Sequence, residues 1–185
     1  MSWRFLPNAI CIVRILLVGP LVWLIVQERY AAALALLIVA GASDGLDGYL
    51  AKTFDWRTRL GSLLDPAADK LLLVSVFLAL TYDGLVPVAV TAVVVARDVI
   101  IVLGAVCYQL LIAPVKGEPA VISKLNTACQ LAFLFFTLTS AALAWPPRVS
   151  LLVLGASVVF TSIVSGLNYV LRWGTRAWRV AHGAV

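Results

Sequence analysis

Six apolar runs, each close to the length of a bilayer crossing, follow one another along the chain and leave little sequence between them. They fall at about 8–27, 30–51, 61–82, 86–112, 122–144 and 150–172, because a helix needs about 20 apolar residues to cross a hydrocarbon layer. The rest of the composition agrees. Of 185 residues, 63% are hydrophobic and 12% charged, with a mean hydropathy of +1.04. That leaves too little polar surface to coat a water-soluble globule. The runs predict an all-α integral membrane protein of six transmembrane helices, organised as one domain over residues 1–185.

The basic residues set an orientation. With six spans both termini share one side, which would hold Arg4, then Lys52, Arg57 and Arg59, then Lys116 and Lys124, then Arg172, Arg176 and Arg179. The other side keeps Arg29 and Arg148. The bias predicts cytoplasmic termini and a cytoplasmic 52–60 loop. The tail RWGTRAWRVAHGAV, mixing Trp173 and Trp178 with arginines, has the composition of a helix lying in the interface. The opening MSWRFLP is too short for a transit peptide. The first run carries Arg14 and no small-residue cleavage signal, so the expectation is a multi-pass protein of a bacterial inner (cytoplasmic) membrane. The net charge of +5 is dispersed between the runs and forms no dense patch, which speaks against a nucleic-acid partner. Cys11, Cys107 and Cys129 have no zinc or redox spacing and read as small core residues.

The acids carry the functional signal. Of nine, five fall between Asp44 and Asp69, and only Asp55 of these is in the polar loop. Asp44, Asp47, Asp65 and Asp69 lie in otherwise apolar helical sequence, where an ionised group costs at least a few kcal/mol and marks function. Asp44 and Asp47 are three apart, and Asp65 and Asp69 four apart, so each pair shares a helix face. The short 52–60 loop makes the two helices antiparallel neighbours, so the pairs can face each other. Four such carboxylates repel unless cations sit among them, and oxygen-only ligands select a hard ion such as Mg²⁺, which also takes substrate phosphate. Gly48, Ala51 and Gly61 keep the same faces small, and Lys52, Arg57 and Arg59 stand at the mouth where they can attract phosphates. Two other readings compete: helix-end acids beside packing glycines, and a cation or proton pathway. Transporter acids are usually scattered near the midplane among broken or repeated helices, whereas these cluster at one end of two consecutive runs.

At these residues the sequence resembles the CDP-alcohol phosphatidyltransferase family, whose signature is D-x-x-D-G-x-x-A-R, eight residues, then G-x-x-x-D-x-x-x-D. The chain supplies Asp44, Asp47, Gly48, Ala51 and Lys52, then Gly61, Asp65 and Asp69. Lys52 replaces the usual Arg, keeping the charge without the bidentate fork. PNAICIVR resembles the family's P-N-x-x-T-x-x-R stretch, with Asn8 and Arg14 retained and Cys11 in place of Thr. The resemblance implies six transmembrane helices, commonly a homodimer, and a polar metal-binding cavity open to the cytoplasmic face. It implies two divalent ions per active site, Mg²⁺ or Mn²⁺, with Asp44, Asp47 and Asp65 holding one and Asp65 and Asp69 the second. Asp69 would be the base. Asn8, Gly48, Ala51, Lys52 and Gly61 would bind the nucleotide and diphosphate of CDP-diacylglycerol.

Two later stretches bear on the acceptor. VISKLNTACQ resembles the S-K-x-N-T-x-x-Q segment of the eukaryotic-type cardiolipin synthases in this family, and VVVARDVIIVLGAVCY resembles their R-D segment. Members that use glycerol phosphate more often have a second Lys at Asn126 and R-E at the other site. An acceptor with a terminal phosphate wants several fixed cations, whereas the neutral glycerol of phosphatidylglycerol can hydrogen-bond an amide. The resemblance therefore implies transfer to phosphatidylglycerol, with Arg97, Lys124 and Asn126 as acceptor contacts. Phosphatidylglycerophosphate synthesis from glycerol 3-phosphate stands as the alternative. Arg97, Asp98 and Lys124 read equally well as paired or snorkelling groups.

Overall fold

The computed structural model describes residues 6–53, 59–111 and 121–181, with side chains for 12–43, 68–104, 106, 121–171 and 175. These residues form six α-helices: α1 (Leu6–Val26), α2 (Tyr30–Thr53), α3 (Arg59–Tyr82), α4 (Val88–Leu111), α5 (Val121–Leu143) and α6 (Arg148–Ala181). Every helix starts within two residues of an expected apolar run. The tail differs from expectation in one respect. It is helical, as its composition suggests, but joined to the last run, α6 continuing through it to Ala181 as one helix of 34 residues. No proline interrupts that stretch, and the Thr175 hydroxyl donates back to the Leu171 carbonyl at 2.9 Å.

The breaks between helices have local causes. After α3 the chain turns at Gly84, with φ at 76°, and the Gly84, Leu85 and Val86 amides donate to the carbonyls of Thr81 and Leu80. A left-handed residue at that position satisfies the last carbonyls of a helix, and glycine adopts it without Cβ strain. Pro87 then lacks the amide needed to extend α3. Between α1 and α2 the same geometry falls on Glu28, with φ at 56°.

The contacts divide the chain into two units, one of residues Met1–Pro87 and Leu134–Arg148, the other of Val88–Phe133 and Val149–Val185. In the first, α1 packs against both α2 and α3. Val18, Leu21 and Ile25 are buried on α1, Ala33, Leu37 and Ala40 on α2, and Leu72, Val76, Phe77 and Leu80 on α3. The α2 residues recur at helical spacing on one face, and its two alanines let a neighbouring backbone approach closely. At the α1–α2 turn, the Tyr30 hydroxyl donates to the Asp83 carboxylate just beyond α3.

The second unit is turned inside out relative to a water-soluble fold. Along α6 the buried positions are Gly155, Val158, Thr161, Ser162 and Ser165, while Leu152, Val153, Phe160, Ile163 and Leu167 are exposed. Along α4, Thr91, Arg97 and Asp98 are buried and Val99, Ile100, Val102 and Leu103 exposed. A soluble amphipathic helix does the reverse. Large apolar side chains outward and small or polar ones inward is the pattern expected when the surrounding solvent is lipid. Among the described residues, Val121–Leu143 and Arg148–Leu171 are long and apolar enough to cross a membrane. Gly155 serves close packing here, since a Cβ on it would meet the Phe133 ring at 3.3 Å.

Removing the phenol at the turn tests the first unit. Tyr30→Phe is expected to cost about 1–2 kcal/mol, the net worth of a hydrogen bond to a charged group, and to lower the detergent-solubilised melting temperature by a few degrees. Tyr82→Phe, at a position 81% exposed, should leave the melting temperature unchanged.

Candidate functional site

The Tyr30–Asp83 bond fixes the register of α2 against α3. It joins the start of α2 to the end of α3, so the helices run antiparallel, and the 54–58 connection lies at their other end. Asp44 follows Tyr30 by 14 residues and Asp69 precedes Asp83 by 14. At 1.5 Å rise per residue, both sit about 21 Å along the pair from the same tie. Asp47 and Asp65 lie 17 and 18 residues from it, about one turn further on. The four acids therefore occupy one level of two antiparallel helices.

The side chains of Asp44, Asp47 and Asp65 lie outside the described residues, as do those of Asn8, Cys11, Ala51, Lys52 and the Gly48 and Gly61 positions. Asp69 is described. Its carboxylate is about half exposed and pairs with the guanidinium of Arg14, which is 3% exposed on α1. That contact brings the third helix of the unit to the acidic level. The sequence marks Arg14 as a charge inside the first run and as part of the PNAICIVR stretch, but its partner lies 55 residues away, and nothing local in the sequence points to it. A buried guanidinium needs a carboxylate nearby, and Asp69 supplies one, accepting a charge-assisted hydrogen bond from it.

As a donor set, four carboxylates suit a hard divalent cation, which takes oxygen ligands and completes its shell from phosphate. Among the described side chains no three His, Cys, Asp or Glu residues come together. The three acids that would complete the set with Asp69 are those whose side chains lie outside the description.

The candidate acceptor residues lie in the second unit. Arg97 is 4% exposed, and its guanidinium donates to Asp98 at 2.6 Å and to the hydroxyls of Ser123 and Ser165 at 2.6 and 2.7 Å. Asn126 is fully buried, and its Oδ1 accepts from Ser162 at 2.9 Å and lies 2.8 Å from the Thr161 hydroxyl. Lys124 is exposed and stands apart from this network. The structure thus joins Arg97 and Asn126 to a polar lining of α4, α5 and α6, and adds Ser123, Thr161, Ser162 and Ser165. Sequence reasoning missed these hydroxyls. Their signal is the spacing of Thr161, Ser162 and Ser165 on one face of an otherwise apolar helix.

Breaking the ion pair on α1 should be costly for folding. Arg14→Gln removes one partner of a pair whose guanidinium is buried, and the expected loss is about 2–3 kcal/mol, read as a lower melting temperature. Lys124→Gln, on an exposed side chain, should change stability by less than about 0.5 kcal/mol.

Comparison with known proteins places these features in context. The sequence model described as CDP-alcohol phosphatidyltransferase matches residues 4–165. The human protein named cardiolipin synthase (CMP-forming) is 33% identical over 180 residues, covering 89% of this chain and 60% of its own length. The rat protein of that name is 31% identical over 194 residues, covering 96% of this chain and 64% of its own. A chloroplastic CDP-diacylglycerol–glycerol-3-phosphate 3-phosphatidyltransferase of rice is 34% identical over 192 residues, covering 91% of this chain and 56% of its own. The chain thus spans about 60% of the length of these relatives. With a match over most of its length and the acidic level built on α2 and α3, the chain belongs to the CDP-alcohol phosphatidyltransferase family.

Proposed function

We propose that this protein transfers a phosphatidyl group from CDP-diacylglycerol to a hydroxyl of phosphatidylglycerol, giving cardiolipin and CMP. The observation that carries the proposal is the placement of Asp44, Asp47, Asp65 and Asp69 at one level of α2 and α3. In this reading Asp44, Asp47 and Asp65 hold one divalent ion, and Asp65 and Asp69 share a second, Mg²⁺ or Mn²⁺. When bound, such ions would supply positive charge against the diphosphate and the departing CMP. The protein does the rest by position. Asp69, held in place by Arg14, accepts the proton of the acceptor hydroxyl as that oxygen attacks the lipid-side phosphorus and the bond to CMP breaks. Asn8, Gly48, Ala51, Lys52 and Gly61 bind the nucleotide and diphosphate, the small residues leaving room for the backbone to approach them.

All six helices span the membrane in this proposal, with the termini and the cavity of the active site on the cytoplasmic side of an inner (cytoplasmic) membrane. The Lys/Arg bias across the connections supports that orientation. Residues 1–185 act as one domain, a reading supported by the family match, which runs from residue 4 to residue 165 through both units. The functional form is a homodimer, as the family resemblance implies.

The choice of phosphatidylglycerol rests on Arg97, Lys124 and Asn126 as acceptor contacts and on relatives named cardiolipin synthase. The rice relative, named for glycerol 3-phosphate, keeps phosphatidylglycerophosphate synthesis as the second reading. The test is an acceptor screen. Protein in detergent with Mg²⁺ or Mn²⁺ should release CMP when phosphatidylglycerol is added, with cardiolipin as the lipid product. Release with glycerol 3-phosphate alone selects the second reading, and metal-independent release contradicts both. Asp69→Asn and Asp44→Asn should each lower the rate by at least about 10²-fold, while Lys124→Gln raises the acceptor KM with less effect on kcat.

A further inference from the structure

Gln130 is fully buried on α5, and neither its Oε1 nor its Nε2 has a hydrogen-bond partner among the described residues. One turn earlier, Asn126 is equally buried; its Oδ1 is occupied, and its Nδ2 has no partner. The two amides are four residues apart and so lie on one face of the helix. Buried amide groups are almost always paired with protein, water or ligand, so two in succession with open donors and an open acceptor require an account.

The surroundings narrow what can answer them. Arg97 supplies the positive charge of this lining, and it is already balanced by Asp98 at 2.6 Å and held by Ser123 and Ser165. Lys124, the nearest further cation on α5, is exposed. The described seam is therefore close to neutral. A phosphomonoester dianion brought into it would lack the uncommitted cations it needs in a low-dielectric setting. Hydroxyls of a neutral polyol suit it, because each both donates and accepts. Oε1 of Gln130 can take a hydroxyl proton, while Nε2 of Gln130 and Nδ2 of Asn126 donate to hydroxyl oxygens. Ser162 fixes Asn126 by donating to Oδ1, leaving its amino group for that use.

We infer that Gln130, with Asn126, is the specificity-determining amide pair that reads the neutral glycerol headgroup of the acceptor lipid and disfavours a phosphorylated one. The inference rests on the proposed transfer reaction and adds Gln130 to it. Its physical content is that a Gln with both amide atoms open at full burial is retained for a ligand and not for packing.

The test uses the full chain in detergent, comparing wild type with Gln130→Met, which conserves volume, and Gln130→Asn, which keeps a shortened amide. Two readouts are needed: steady-state KM for each substrate, and the rise in melting temperature produced by short-chain phosphatidylglycerol without CDP-diacylglycerol. For Gln130→Met the acceptor KM should rise about tenfold or more, with the CDP-diacylglycerol KM within about twofold. The melting-temperature rise should shrink, and the ligand-free melting temperature should not fall, because removing both open amide groups relieves an unmet burial cost. Gln130→Asn should lie between the two, and it carries the test should the Met variant fail to fold. An unchanged acceptor KM and ligand shift in a folded variant overturns the inference and assigns Gln130 to bound water or packing. A parallel rise in both KM values with a lower melting temperature overturns it as well. Wild type that is stabilised by phosphatidylglycerol but releases CMP with no acceptor removes the proposed reaction and leaves the seam as a lipid-binding site. Wild type that accepts only glycerol 3-phosphate overturns the seam's preference for a neutral headgroup.

Discussion

Negative charge within apolar helical sequence is the constraint on which the rest of this structure depends. Water solvates a carboxylate at a soluble protein's surface, but in an apolar helix the solvation must come from fixed positive charge, hydrogen-bond donors or metal. This chain places four such groups on α2 and α3 at one level, tied at a distance by Tyr30 and Asp83. One of the four, Asp69, takes a guanidinium from α1. The packing of α1 against both α2 and α3 follows the same logic, because a third helix is needed to bring that arginine to the acids.

The second unit handles polarity differently. Its charges, Arg97 and Asp98, are adjacent in sequence and cancel locally, and hydroxyls of Ser123 on α5 and Ser165 on α6 accept from the other terminal nitrogen of the guanidinium. A balanced pair buried this way adds little net stability, since desolvation offsets most of the attraction. Its use lies in fixing geometry: through Ser123 and Ser165 it ties α4 to α5 and α6, and α5 carries the open amides of Asn126 and Gln130. The acidic level concentrates charge, whereas the seam stays neutral and presents hydrogen-bonding groups.

Much of this was legible in the residues. The six helices follow from the positions and lengths of the six apolar runs. The pairing of Asp44 with Asp47, and of Asp65 with Asp69, follows from helical periodicity, and the short loop between α2 and α3 makes them antiparallel. What could not be read is long-range or unpatterned. Arg14 meets Asp69 across 55 residues, and only packing of α1 on α3 reveals it. The extension of α6 to Ala181 was hidden by a tail whose tryptophans and arginines suit an interfacial helix as well as a continuing one. Gln130 closes the VISKLNTACQ stretch, but no role for it is read from the sequence; that appears only when its amide is found buried without a partner among the described residues.

The central claim is that the acids on α2 and α3 converge on divalent cations that also bind a diphosphate. Manganese binding followed by electron paramagnetic resonance, on purified protein with and without CDP-diacylglycerol, addresses it without relying on turnover. The account predicts two ions per chain in the presence of the nucleotide lipid, weaker retention in its absence, and loss of at least one ion in Asp65→Asn. Wild-type protein that holds no manganese beside the lipid, or an Asp65→Asn protein that holds as much as wild type, would contradict it.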